Sequence, residues 1–99
     1  YVLYLNQAKD GTTTINGQTT TIPNNEWISV VAVCDFTTHK VNVVAKSLDS
    51  SKTYFDGEVD MADTDATGMS GLYFKYGKKA YGSISFDNIE IFSADQYTE

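Results

Sequence analysis

The 99 residues carry a formal net charge of −6 and suffice for one domain with one thin core. Such a chain buries roughly two-thirds of the surface that its unfolded form exposes. One proline, seven glycines and 13% aromatic residues exclude collagen-like, coiled-coil and disordered classes. The acidic balance repels phosphate backbones and anionic lipid, so nucleic acid and membrane insertion are not expected, and neutral sugars, cations or proteins are left as partners.

In chain order, the apolar pattern has a period of two almost throughout. Residues 1–6 read as a first β run, closed by Lys9, Asp10 and Gly11. The chain opens inside that run without an initiator methionine, as a processed product or a piece of something longer would. Residues 12–15 and 18–22 flank Asn16-Gly17, the strongest short hairpin signal, because both central residues of a type I′ turn need positive φ. The threonines around it suit a ribbon with at least one wet face.

Residues 23–26 break the pattern. Residues 27–34 are then apolar on both faces, which predicts a central strand covered on two sides. Cys34, the one cysteine, ends this run and reads as a small buried hydrophobe. Being alone, it excludes an internal disulfide and a cysteine zinc site. The run is far too short to span a bilayer.

Strands are expected over 41–46 and 53–58, joined by a turn at 48–52. Residues 59–70 form one long irregular acidic stretch. A strand over 71–76 and a turn at 77–79 lead to a final strand over 82–92. Ile84 and Phe86, then Ile89 and Ile91, change phase at Asp87-Asn88, as a β-bulge does. About eight short strands without a capped helical stretch predict an all-β, antiparallel β-sandwich over residues 1–92, with a polar tail at 93–99.

Two segments carry a resemblance. One is Trp27-x-x-Val-x-Val-x-x-Asp with the turn Phe36-Thr-Thr-His-Lys and Val41-x-Val; the other is Gly82-x-Ile-x-Phe-Asp-Asn-Ile-x-Ile-Phe. Together they resemble the later strands of concanavalin A-like jelly rolls of the laminin G and lectin/glucanase type. The resemblance implies a C-terminal part of such a domain, secreted or at the cell surface. It also implies a sandwich completed by missing N-terminal strands or by a second chain, since an unpaired apolar strand is an aggregation-prone edge. A tryptophan at this place in the family begins an internal strand, so core packing is expected for Trp27 rather than a sugar platform.

Carbohydrate recognition needs flat aromatic faces for sugar C–H surfaces and polar groups for hydroxyls. Tyr73 and Lys75 share a face opposite Leu72 and Phe74, and Tyr76 and Tyr81 bracket the next turn, which makes these four the expected ligand-binding residues. Tyrosines filling half-buried sheet positions account for the same pattern.

Asp63-x-Asp65-x-Thr67-Gly68 has the oxygen spacing that starts a calcium loop, but Phe74 stands where the bidentate glutamate belongs. The resemblance implies that Asp87 ligates a structural calcium; the competing reading is a carboxylate accepting backbone N–H groups at the bulge. No catalytic residues are expected, because the close carboxylate run of the glucanases is missing and His39, the one histidine, sits in a turn. The expected function is a non-catalytic carbohydrate-binding or adhesion module. A structural or interaction module and a fragment of a glucanase-type hydrolase are the alternatives.

Overall fold

The computed structural model describes residues 1–8, 10–69 and 85–91. Among them there are six strands and no helix: β1 (Leu5–Gln7), β2 (Thr12–Ile15), β3 (Gln18–Thr21), β4 (Ile28–Asp35), β5 (Lys40–Ser47) and β6 (Thr53–Asp60). They form two antiparallel three-stranded sheets, ordered β1-β2-β3 and β4-β5-β6. The sandwich-like, all-β character expected from the two-residue period holds.

The first sheet is organised by the β2–β3 hairpin. Asn16 and Gly17 have φ of 45° and 91°, the left-handed pair that a type I′ turn requires, and Ile15 pairs with Gln18 across it. Asn16 also ties three segments together. Its Nδ2 donates to the carbonyls of Val2 (3.0 Å) and Asp60 (2.8 Å), and its Oδ1 accepts from the Tyr4 N–H (2.7 Å).

In the second sheet β5 is central. Its register sets Cys34, Val41 and Val59 in one row, Ala32, Val43 and Gly57 in the next, and Val30, Ala45 and Phe55 in a third. Because successive side chains alternate, all three rows face the same side. That face meets Ile15 of the first sheet, and Ile15, Val41, Val43, Val59 and Met61 form the buried cluster against which Val2, Leu3, Cys34, Phe36, Phe55 and Ala66 pack. The first sheet lies beside the β6 edge. Thr20 Oγ1 donates to the Tyr54 carbonyl (2.6 Å) and Gln18 Nε2 to the Glu58 carbonyl (3.4 Å).

Four expectations are corrected. Residues 27–34 are not a doubly covered central strand: β4 is an edge strand in the described sheet, and Val30 and Val33 are 44% and 38% exposed. Trp27 is not in the core but 53% exposed. Residues 59 and 60 continue β6, and Val59 and Met61 are core residues, so the irregular stretch begins later than its composition suggested. Residues 85–91 form no strand; Asn88 has φ 53°, and Phe86, Ile89 and Ile91 are at least half exposed. The ladder irregularity falls instead between Ala45 and Lys46. The expected strand over 71–76 and the tail at 93–99 lie outside the described residues.

Candidate functional site

The pairing of Ile28 with Ser47 brings the entrance of β4 beside the loop that joins β5 to β6. Between them lies an open cleft of about 460 Å³, lined by Glu26, Trp27, Ser47, Leu48, Asp49, Ser51 and Lys52. Trp27 stands just before the first paired residue of β4. It therefore escapes the alternation that turns apolar side chains inward, and its indole is exposed at the cleft.

The opposite wall is an ordered turn. Ser50 takes φ 62°, and its N–H donates to the Ser47 carbonyl (2.9 Å). Asp49 Oδ1 accepts three hydrogen bonds: from Ser47 Oγ (2.8 Å), the Ser51 N–H (2.9 Å) and Ser51 Oγ (2.7 Å). These donors, with the Ser51 hydroxyl foremost, hold the Asp49 carboxyl down at about 2, so it is a fixed anion at neutral pH. The three hydrogen bonds all fall on Oδ1, and among the described residues no protein group bonds Asp49 Oδ2. On the Trp27 side, Glu26 Oε1 accepts from the Tyr54 hydroxyl (2.8 Å), which raises the pKa of that phenol. The cleft thus presents a flat apolar ring, two carboxylates, a serine hydroxyl and an ammonium within one open surface.

Tyr73, Lys75, Tyr76 and Tyr81, the expected ligand-binding residues, lie outside the described residues. Asp63 and Asp65 are exposed, and Asp63 Oδ1 accepts the Asp65 N–H (3.0 Å), the bond of an ordinary Asx turn. Asp87 Oδ1 accepts the neighbouring Asn88 N–H (2.9 Å). Among the described residues no three His, Cys, Asp or Glu side chains converge as a group that could hold a metal ion. Cys34 is free and half-buried rather than buried, and desolvation pushes its thiol pKa up, away from reactivity. Glu58 and Asp60 share the outer face of β6, where Asp60 pairs with Lys40.

The residues missed by sequence reasoning are Glu26, Asp49, Ser51 and Lys52. For Asp49 and Ser51 a signal was present in the run Ser47-Leu48-Asp49-Ser50-Ser51, in which an aspartate caps its own turn. What that run does not encode is the tryptophan it would face. Compared with known proteins, the chain matches no family model, no curated protein and no solved structure.

Proposed function

We propose that the chain is a non-catalytic module that binds carbohydrate at the Trp27 cleft. The observation that carries this reading is the exposed indole of Trp27, set against the Asp49 turn in an open groove. A pyranose ring laid on the indole buries its C–H face, while its hydroxyls meet Asp49 Oδ2, Ser51 and the Lys52 ammonium. An open, shallow groove suits a neutral polysaccharide chain that continues past both ends. In this reading the two sheets are layers of a concanavalin A-like jelly roll in a secreted or surface protein, with Tyr73, Lys75, Tyr76 and Tyr81 as further contacts.

Affinity electrophoresis through gels containing soluble neutral polysaccharides tests it. The wild-type chain is expected to be retarded by at least one polymer. Trp27→Ala should lose that retardation while keeping its melting temperature, because an exposed side chain contributes little to stability. Retardation unchanged in Trp27→Ala but lost in Tyr73→Ala with Tyr81→Ala would transfer the site to the tyrosines. Mobility that no polymer alters would end the carbohydrate reading.

A further inference from the structure

The two edges of the β4-β5-β6 sheet are treated differently. On β6 the outward carbonyls of Tyr54, Glu58 and Asp60 are taken by side chains of Thr20, Gln18 and Asn16. On β4 no strand pairs with the outer edge among the described residues, and all eight of its residues keep unbroken register with β5.

The ladder shows which β4 groups face outward. Since Tyr54, Glu58 and Asp60 point away from β5, and the Met61 N–H reaches the His39 carbonyl, the odd-numbered residues of β5 bond towards β6. Antiparallel strands alternate, so Asn42 and Val44 bond towards β4, through Val33 and Val31. The backbone N–H and C=O groups of Ile28, Val30, Ala32 and Cys34 are left facing outward.

Natural edge strands are guarded by charge, proline or bulges. Residues 28–34 have none of these.

From this we infer that the β4 edge is a docking site for an extended segment of another protein, apolar at alternate positions and basic at its ends, which adds as a further strand. Charge selects this occupant. Glu26 and Asp35 are exposed at the two ends of the uncharged run. A second copy laid antiparallel on β4 would set Glu26 beside Asp35 of its neighbour, and a parallel copy would set Glu26 beside Glu26. The chain's own exposed apolar segment, residues 85–91, carries Asp87 and Glu90 and no cation. A strand with lysine or arginine at its ends meets these acids, gains main-chain hydrogen bonds along the edge and covers Val30 and Ala32.

The test uses the full chain and a synthetic peptide, Lys-Lys-Thr-Val-Thr-Val-Thr-Lys-Lys, with a version bearing Glu for Lys as control. Amide exchange read by NMR should show the Val30 and Ala32 N–H groups exchanging fast in the dilute free chain and slowing with the basic peptide. The Glu version should produce no slowing, and added salt should weaken the effect. Ala32→Pro removes an outward donor without touching the β5 ladder and should weaken peptide binding about tenfold. Val31→Pro, by contrast, should lower the melting temperature. Val30 and Ala32 amides already protected in the dilute free chain would overturn the inference, because the edge is then occupied from within. Protection that rises with chain concentration alone would overturn it in favour of self-association. Equal slowing by both peptides would overturn the charge selection.

Discussion

Asn16 performs two tasks that different substitutions separate. Its φ of 45° suits the turn, and its amide donates to two carbonyls from distant segments. Asn16→Gly keeps the turn and loses the tether. Asn16→Asp keeps the turn as well, yet it sets a carboxylate against the Val2 and Asp60 carbonyl oxygens. Asn16→Asp is therefore expected to be less stable than Asn16→Gly by about 1–2 kcal/mol in urea denaturation at neutral pH. Equal stabilities would show that a carboxylate at this position does not meet the two carbonyl oxygens. Asp49 makes a prediction about pH. Its native pKa lies below the ordinary 3.8, at about 2, so its contribution to stability is complete above 3.8 and lost as pH falls towards 2. A carboxyl ¹³C titration should place its midpoint near 2, and Asp49→Asn should remove the part of the acid sensitivity that arises in this window. A midpoint near 3.8 would mean that the serine donors do not engage it.

Among the elements, the contrast between β4 and β5 shows how far sequence reading reaches. Residues 41–46 were read as a strand, and β5 turns Val41, Val43 and Ala45 to one face and buries them fully. The Asn16-Gly17 turn and its flanking strands were equally legible, because φ > 0 at two successive residues is a local demand. Residues 27–34 were legible as a strand but not in their place. An all-apolar run is what a central strand needs, yet apolarity does not say which neighbours arrive, and here one flank has none among the described residues. The end of β6 was misread for the converse reason: Val59 and Met61 are isolated among acids, and only the sheet pairing and the cluster around Val41 reveal them as core.

For the molecule as a whole, the cluster around Ile15 is what joins the two sheets. Ile15 is fully buried, projects from β2 and meets Val41, Val43 and Val59 of the other sheet. Ile15→Ala leaves a cavity in the core that the two sheets share. It is expected to cost about 2–5 kcal/mol, measured by denaturant unfolding. A loss below 1 kcal/mol would mean that the sheets do not share a core. Val30→Ala, on the same face but 44% exposed at the β4 edge, should cost far less, because the shared core thins towards β4. Two sheets and an all-β class were readable from periodicity. The residues that build their shared core and the cleft at one end were not, because both depend on which loop folds over which strand. The cleft exists because Ser47 pairs with Ile28 and so sets Trp27 against the Asp49 turn.

Trp27 is the one tryptophan in the chain, so its fluorescence reports on the cleft without interference. Acrylamide quenching with and without an oligosaccharide drawn from a polymer that retards the chain tests both its exposure and its task. Free chain should emit as a solvent-exposed indole and quench readily, and saturating oligosaccharide should shield it. A blue-shifted emission that acrylamide scarcely quenches in the free chain would return Trp27 to the core and leave the cleft without its platform.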